Sequence, residues 1–269
     1  MTLSMMAMKW RFFRLLPAVK PFIDGVVVAM SYVRAFLFYL VMIVATVVHS
    51  TLCLIFVSWL PFKLRFNIVS SVNHLFIGWL RIICGVRYQV VGKENLPQDR
   101  PFVLLVNHQS EWETIYLQLL VKPISTVLKK ELLRIPFFGW ALALLSPIAI
   151  DRSQRSGAMK QVLKQGKQRL AEGVPVVIFP QGTRVVAGQL GTFNKGGAML
   201  ACSAKVPVVP MVHNAGEHWP SGRFTKVPGL IRIEIGAPIS TEGRSVDEVF
   251  QQSTNWITER MPAPAEPVH

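Results

Sequence analysis

Phe102-Val-Leu-Leu-Val106 leads directly into Asn107-His-Gln-Ser-Glu-Trp-Glu113, and this stretch decides the fold. The pattern occurs again further along the chain, where Val174-Pro-Val-Val-Ile178 leads into Phe179-Pro-Gln-Gly-Thr-Arg184. Short apolar runs of this kind are typical of buried strands. Side chains that follow the carboxyl ends of parallel strands are where α/β proteins assemble their sites. The two stretches therefore predict an α/β fold with a functional site at one edge of its sheet.

The rest of the chain after residue 66 alternates strand-like and helical runs, which is typical of an α/β sheet. The predicted strands cover residues 88–91, 102–106, 124–128, 148–150, 174–179, 206–212 and 231–235. The predicted helices cover residues 112–120, 137–145, 157–172, 197–204 and 246–261. We expect a mixed, largely parallel sheet flanked by helices over residues 66–261, followed by a Pro-rich disordered tail over residues 262–269.

An apolar segment precedes this domain. Residues 35–60 contain no Asp, Glu, Lys or Arg, and a run of that length can span a hydrocarbon core as one helix. Basic residues flank the run on both sides, and basic residues prefer the cytoplasmic side of a membrane. Such flanks favour a helical hairpin that dips into the membrane, with a turn near His49-Ser50-Thr51, or successive helices lying on it. One transmembrane helix is the alternative, and either way residues 1–65 form an N-terminal membrane-associated segment.

Composition narrows the classes of function. The chain has 29 Lys and Arg against 15 Asp and Glu, a formal charge of +14, which implies an anionic partner. The apolar N-terminal segment favours lipid over nucleic acid, and the sequence carries no zinc-finger, RNA-binding or basic-repeat pattern. With 51% hydrophobic residues, the chain is too polar for a channel or transporter with many spans. Cys53, Cys84 and Cys202 are too widely spaced for a Cys-x-x-Cys zinc site and fit a reducing compartment.

His108 and Glu113 are the pair of side chains needed to deprotonate a hydroxyl. On one helix their spacing would separate them, but they can meet if His108 lies in the entering loop and Glu113 in the first helical turn. Ser110 would then be the N-cap, with Glu113 at the N3 position. This arrangement is also a capping box, in which Glu113 only satisfies a backbone amide. Catalysis and capping both remain open from these residues alone.

Basic residues near the second stretch could bind a phosphate. Arg184 closes a turn in which Gly182 permits an unusual backbone conformation, and its planar guanidinium suits a phosphate. Lys195 precedes a helix expected to begin at Gly197, and helix N-termini attract anions. Three further residues could face the same phosphate: Lys129, Lys130 and Arg152. Each of these cations could equally be an ordinary surface charge near anionic lipid.

Taken in order, these blocks resemble the glycerolipid acyltransferases of the lysophosphatidate acyltransferase type, over residues 87–239. The four blocks of that family are matched by residues 108–113, 129–152, 179–184 and 206–210. Two residues depart from the family pattern. Glu113 stands where the family has Asp, and Gln181 stands where it usually has Glu, so Gln181 keeps the hydrogen bonding of that side chain but not its charge.

The resemblance implies an enzyme that moves a fatty acyl group from acyl-CoA or acyl carrier protein to the sn-2 hydroxyl of 1-acylglycerol-3-phosphate, giving phosphatidate, without a metal or other cofactor. His108 would act as the base and Glu113 would orient it. The acceptor phosphate would be held by Arg184, Lys129, Lys130, Lys195 and Arg152. The motif and its turn would be formed by Asn107, Pro180, Gln181, Gly182 and Thr183.

Two alternatives remain beside this activity. The same reaction could use another lysophospholipid or a lyso-aminolipid, or the protein could be a catalytically silent membrane-binding protein on the same fold. The expected partners are membrane lipids, lysophosphatidate and the acyl donor, with no nucleic acid. The expected location is the bacterial inner membrane, with the catalytic domain on its cytoplasmic side.

Overall fold

Seven strands form one sheet in the computed structural model, which describes residues 3–151 and 155–261, with side chains for residues 24–151 and 157–261. The strands are β1 (Val86–Val91), β2 (Val103–Val106), β3 (Ser125–Lys129), β4 (Ile148–Ile150), β5 (Val176–Ile178), β6 (Val208–His213) and β7 (Gly229–Ile235). Their order is β1-β7-β6-β2-β5-β3-β4, and all neighbours are parallel except β6 and β7. The predicted mixed, largely parallel sheet is confirmed.

Helices surround this sheet. They are α1 (Leu3–Phe56), α2 (Phe62–Ser70), α3 (Val72–Cys84), α4 (Trp112–Leu120), α5 (Phe138–Leu144), α6 (Arg155–Ala171), α7 (Gly196–Ala204), α8 (Ala215–His218) and α9 (Val246–Arg260), with 3-10 turns at Lys93–Asn95 and Lys130–Arg134. The five helices predicted after residue 66 are confirmed as α4, α5, α6, α7 and α9. The predicted elements include no counterpart of α2, α3 or α8.

The central strand β2 is buried on both faces. Leu104 and Val106 face a core shared with α1, α3 and α4, whereas Val103 and Leu105 face a second core shared with α6, α7 and α9. All four side chains are at most 1% exposed. Because β2 is fixed from both sides, the residues that follow it are presented at a defined place on the carboxyl edge of the sheet.

The N-terminal helices form a hairpin, but its turn is not where the sequence predicts. α1 and α3 run antiparallel, and the indole Nε1 of Trp79 donates to the carbonyl of Leu37 at 3.4 Å. The predicted turn at His49-Ser50-Thr51 is wrong, because α1 continues through Phe56 and the chain reverses over residues 57–61. The His-Ser-Thr string contains no helix-breaking residue, whereas Pro61 directly precedes α2, where proline favours a new helix start.

This hairpin is long and apolar enough for membrane association. Asp24–Phe56 and Phe62–Cys84 are 33 and 23 residues long, and both are apolar enough to cross a membrane. Large apolar side chains are exposed along α1, such as Phe36 at 59% and Ile43 at 61%. A continuous apolar surface of this kind is uncommon on a protein surrounded by water. The proposed division at residue 66 falls inside α2 and stays a prediction, and the predicted tail at residues 262–269 lies outside the described residues.

A buried lysine joins the hairpin to the sheet domain. Lys226, in the loop before β7, is 5% exposed, and its Nζ donates to the hydroxyl of Tyr39 on α1 at 2.8 Å. The same ammonium donates to the carbonyl of Phe224 at 2.8 Å and lies 4.5 Å from the centre of the Tyr39 ring. This side chain therefore ties the membrane-associated helix to the loop between β6 and β7.

Candidate active site

His108 and Glu113 meet directly beyond the carboxyl end of β2. The Nδ1 of His108 lies 2.8 Å from Oε1 of Glu113, because His108 is in the entering loop and Glu113 is in the first turn of α4. The same oxygen accepts the backbone N–H groups of Gln109 at 2.9 Å and Ser110 at 2.8 Å. The Glu113 side chain is fully buried, whereas that of His108 is 14% exposed. The result is a partly exposed imidazole backed by a fixed, buried carboxylate.

Glu113 serves as a helix cap and as the partner of His108 at once. It accepts the backbone N–H of Ser110, which is one half of a capping box. The other half differs from the prediction, because Glu111 occupies the N-cap position and the Ser110 hydroxyl accepts from the backbone N–H of Trp112 at 3.1 Å. Ser110 as N-cap is therefore wrong by one residue. The two functions expected of Glu113 are compatible, since one carboxylate oxygen performs both.

Electrostatics favour an ionised Glu113. Burial alone raises the pKa of a carboxyl group, but here the imidazoles of His213 and His108 and the backbone N–H of Ser110 outweigh burial and lower the pKa of Glu113. A carboxylate beside Nδ1 favours the tautomer of His108 that carries its proton on Nδ1. The other ring nitrogen, Nε2, is then the one that can accept a proton.

Two residues of the second motif fix His108 from the β5 side. The ring of Phe179 stacks on the imidazole, with centroids 4.1 Å apart and planes inclined by 20°. Gln181 accepts the backbone N–H of His108 at 2.7 Å and donates its amide to the carbonyl of Leu190 at 2.6 Å. A glutamate could accept from His108 but has no proton for Leu190 when ionised, so the amide suits this position. The stacking by Phe179 is not predicted by the sequence, although Phe179 opens the motif.

The turn after β5 brings Arg184 beside the same loop. Gly182 has a φ of 70°, in the left-handed region, which is one of the unusual backbone conformations that glycine permits. Beyond the turn, Val185 donates its backbone N–H to the carbonyl of His108 at 2.8 Å, and the carbonyl of Pro180 accepts from Asn194 at 2.9 Å. Thr183 is exposed within the turn. The bond from Val185 to His108 thus joins the two motif loops through their backbones.

Arg184 reaches this site while already paired with an acid. Its Nε donates to the carbonyl of Ser110 at 3.3 Å, and its Nη1 lies 3.1 Å from Oε1 of Glu111. The side chains of Arg184 and Glu111 are 37% and 35% exposed, so the pair is open to solvent. An anion that binds Arg184 must compete with Glu111. Sequence analysis does not single out Glu111, although it lies between His108 and Glu113.

The other predicted phosphate ligands are more scattered. Lys129 and Lys130 are exposed at the carboxyl end of β3, and β5 lies between β3 and β2. At a strand spacing of about 4.8 Å, the ends of β3 and β2 are about 10 Å apart. Lys195 instead pairs with Asp247 of α9, with Nζ and Oδ1 2.7 Å apart. Arg152 lies outside the described residues.

Asn107 joins the ends of β2 and β6 through His213. The Asn107 amide donates to the carbonyl of His213 at 2.9 Å, and its side-chain oxygen accepts the backbone N–H of His213 at 3.0 Å. In return, Nε2 of the His213 ring lies 2.8 Å from the carbonyl of Asn107, and it is 4.0 Å from Oε2 of Glu113. Burial lowers the pKa of His213, which keeps its ring neutral at pH 7. Sequence analysis does not identify His213, because a lone histidine at a strand end usually belongs to the core.

Comparison with known proteins places this site in context. A family model described as "Acyltransferase" matches residues 87–214, which include both motif loops and His213. The chain is 46% identical over 233 residues to the 1-acyl-sn-glycerol-3-phosphate acyltransferase of Pseudomonas aeruginosa, covering 85% of this chain and 90% of that protein. It is 32% identical over 173 residues to the alpha form from Mus musculus, covering 63% of this chain and 60% of that protein.

A solved structure is similar over most of the chain. The crystal structure of the 1-acyl-sn-glycerophosphate acyltransferase from Thermotoga maritima matches with a TM-score of 0.70 and 26% sequence identity. The match covers 87% of this chain and 97% of that chain. The similarity therefore extends beyond the two motif loops to the arrangement of the whole sheet and its helices.

Proposed function

The chain belongs to the acyltransferase family and is an acyltransferase enzyme, and on that premise we propose that it acylates the sn-2 hydroxyl of 1-acylglycerol-3-phosphate to give phosphatidate. The acyl donor is a thioester, either acyl-CoA or acyl carrier protein. The observation that carries the proposal is the His108–Glu113 pair, 2.8 Å apart, beside the guanidinium of Arg184. The Pseudomonas aeruginosa relative, named for this acceptor, supports the choice of substrate.

His108 is the general base of the proposed reaction. Its Nε2 takes the proton of the acceptor hydroxyl while the hydroxyl oxygen attacks the thioester carbonyl. A carbon–oxygen bond forms and the carbon–sulfur bond breaks, and the leaving sulfur receives the proton from His108. Because the acceptor oxygen is the nucleophile, the reaction needs no covalent acyl-enzyme and no metal or other cofactor.

Glu113 supports the base in two ways. Its carboxylate holds the Nδ1–H of His108, and it stabilises the imidazolium that forms when Nε2 takes the proton. The backbone N–H groups of Gln109 and Ser110 fix the same oxygen, so the carboxylate is in place before substrate arrives. A preorganised partner of this kind needs little rearrangement during the reaction.

Arg184 is the main ligand of the acceptor phosphate in this proposal. A guanidinium can bind two phosphate oxygens at once, and Arg184 lies against the carbonyl of Ser110, within the His108 loop. Lys129 and Lys130, exposed on the same edge of the sheet, contribute positive charge at longer range. Lys195 and Arg152 have a weaker basis, since Lys195 is paired with Asp247 and Arg152 lies outside the described residues.

The N-terminal segment of residues 1–65 supplies the proposed membrane anchor for the domain of residues 66–261. Both substrates carry acyl chains, and a site held at the bilayer surface meets them where they reside. Basic residues on both sides of the apolar run favour the cytoplasmic face of a bacterial inner membrane, where thioester donors are made.

A second acceptor class is favoured by one observation. Glu111 lies next to Arg184, so the site presents an anion and a cation together. A lyso-aminolipid could place its amine against Glu111 and an acidic group against Arg184. Such an acceptor keeps the same chemistry at His108 and changes only the head group that the site selects.

The test uses purified full-length protein in mixed micelles with long-chain acyl-CoA. Thiol release and the acylated product are followed for lysophosphatidate, other lysophospholipids and a lyso-aminolipid, and acyl carrier protein replaces CoA in a second arm. We expect lysophosphatidate to give the highest kcat/KM. His108→Ala should lower turnover by about a hundredfold to ten-thousandfold, while circular dichroism stays unchanged. A preference for a lyso-aminolipid would favour the second acceptor class, and no thiol release with any acceptor would contradict catalysis.

A further inference from the structure

We propose that His213 is a positioning residue for acyl transfer, whose Nε2–H fixes the residue before the base and faces the free oxygen of Glu113. The inference rests on the proposed function, because it concerns how His108 is held for that reaction. His213 itself is 1% exposed and is not in a position to touch substrate. Its effect must therefore pass through Asn107 and Glu113.

The first part of the argument is the reciprocal pairing of Asn107 and His213, which we call the clasp. β2 and β6 pair in parallel up to Val106 and Met211, so the clasp lies just beyond the last paired residues of the two strands. The side chain of Asn107 pairs with the backbone of His213, and the ring of His213 pairs with the backbone of Asn107. Because Asn107 precedes His108 in the chain, the clasp fixes the backbone from which the base projects.

The second part is the protonation of the His213 ring. The backbone N–H of Ala215 points to Nδ1 of His213 at 3.1 Å, so Nδ1 is an acceptor and the proton is on Nε2. This Nε2–H donates to the carbonyl of Asn107 at 2.8 Å. A doubly protonated ring would set a second N–H against that of Ala215. The surroundings therefore hold His213 as the neutral Nε2–H tautomer.

The third part is that the two oxygens of the Glu113 carboxylate differ in their hydrogen bonding. Its Oε1 receives three hydrogen bonds, from the ring of His108 and from the backbone of Gln109 and Ser110. Its Oε2 is buried and receives no hydrogen bond from the described residues. The Nε2 of His213, which donates to Asn107, lies 4.0 Å from this oxygen, so its N–H dipole acts on it. The positive end of this N–H dipole favours the observed rotation of the carboxylate, with Oε1 towards His108.

These contacts predict an effect on turnover rather than on substrate binding. Without the Nε2–H, the end of β2 loses one of its three connections to His213, and Oε2 loses the dipole that faces it. A base that is displaced by about 1 Å can lose about a hundredfold in rate. The groups proposed to bind the acceptor, Arg184 foremost, do not contact His213 in the described residues and should retain their affinity.

Two substitutions separate positioning from structural support. In His213→Gln the amide nitrogen can reach the place of Nε2, so the contact with Asn107 is kept. In His213→Asn the shorter side chain can reach only the place of Nδ1, so the contact with the backbone of Ala215 is kept instead. We expect kcat of His213→Gln to stay within roughly threefold of the original enzyme, and kcat of His213→Asn to fall by about tenfold to hundredfold. The KM values for both substrates should change by less than about twofold.

The proposal is overturned if His213→Asn turns over as fast as His213→Gln, or if the losses of both variants follow their melting temperatures. A second measurement needs neither a variant nor substrate. With ¹⁵N-labelled histidine, nuclear magnetic resonance of the full-length protein in micelles should find His213 as the neutral Nε2–H tautomer at pH 7. A charged or Nδ1–H ring at His213 would overturn the proposal. This readout stays valid even if lysophosphatidate proves not to be the acceptor, so failure of the two proposals can be told apart.

Discussion

The loop after β2 and the loop after β5 support the same site but are built in opposite ways. The first, around His108 and Glu113, is buried: Glu113 accepts short hydrogen bonds from the backbone of Gln109 and Ser110, and Gln181 accepts one from the backbone of His108. The second presents Arg184, which is more than one-third exposed and pairs with a partly exposed carboxylate and the carbonyl of Ser110. In the proposed reaction, the base would be fixed in advance, while the exposed cation could exchange its partner for a substrate phosphate. Changes in the first loop should therefore alter kcat, and changes in the second should alter KM.

The largest effect is expected in the buried loop, at Glu113. Glu113→Gln should lower kcat by about a hundredfold or more, because an amide can hold the imidazole in the wrong tautomer and does not stabilise its positive charge. Glu113→Asp should keep part of the activity, since it retains the charge. Steady-state kinetics at saturating substrates check both variants. Full activity of Glu113→Gln at an unchanged melting temperature would reduce Glu113 to a helix cap.

A smaller effect is expected in the exposed loop, at Arg184. Arg184→Ala should raise the KM for the phosphorylated acceptor by about tenfold and leave the KM for the donor nearly unchanged, because solvent weakens an exposed ion pair. Arg184→Lys should restore the affinity only partly, since an ammonium lacks the planar fork. Glu111→Gln is the matched variant, and it should lower the acceptor KM by removing the competing carboxylate. An acceptor-concentration series at saturating donor tests whether Arg184 binds the acceptor phosphate. A change confined to the donor KM would contradict that assignment.

Gln181 joins the two loops, and its replacement should have a moderate effect. Gln181→Glu restores the usual family residue, but a carboxylate cannot donate to the carbonyl of Leu190 as the amide does at 2.6 Å. Losing this hydrogen bond should cost about 0.5–1.5 kcal/mol of stability and lower the melting temperature. Thermal unfolding of both proteins tests this. Equal melting temperatures would mean that the amide proton contributes nothing.

The smallest effect is expected in the pH dependence of stability, through Lys226, which contacts α1. Burial lowers the pKa of Lys226 to about 8, from an ordinary value of 10.5. Between these two pH values the unfolded chain keeps a proton that the folded chain has lost, so this group makes stability rise with pH. Below pH 8 its contribution is constant. Lys226→Met should abolish this rise in stability, and melting temperatures of both proteins at pH 7, 9 and 10 measure the difference. If the variant shows the same rise, another group causes it.

Local pattern predicts much of this molecule. All seven strands and five helices follow from apolar runs and their turns, and His108 and Glu113 are close enough in sequence for their contact to be foreseen. The features that were not foreseen depend on pairing between distant segments. Asn107 and His213 lie 106 residues apart and meet only because β2 pairs with β6. Lys195 is drawn to Asp247 in the same way, because α7 packs against α9.

The hairpin turn has a different reason. The polar string His49-Ser50-Thr51 suggested a turn there. The hydroxyl of Thr51 instead donates to the carbonyl of Val47 at 2.7 Å, so this polar side chain is satisfied within the helix. Such back-bonding lets a helix continue through a polar string. The chain turns only over residues 57–61, where the next helix begins behind Pro61.

A double-mutant cycle on acyl transfer tests most directly whether His108 and Glu113 act as one unit while Arg184 acts separately. Turnover is measured for His108→Ala alone, with Glu113→Gln added, and with Arg184→Ala added, over long incubations with product detection by mass spectrometry. If Glu113 works through His108, Glu113→Gln should cause no further loss of kcat in the His108→Ala protein. Arg184→Ala should still raise the acceptor KM by about tenfold in that background. A further loss of about a hundredfold on adding Glu113→Gln would contradict the account, because the acid would then act independently of the base.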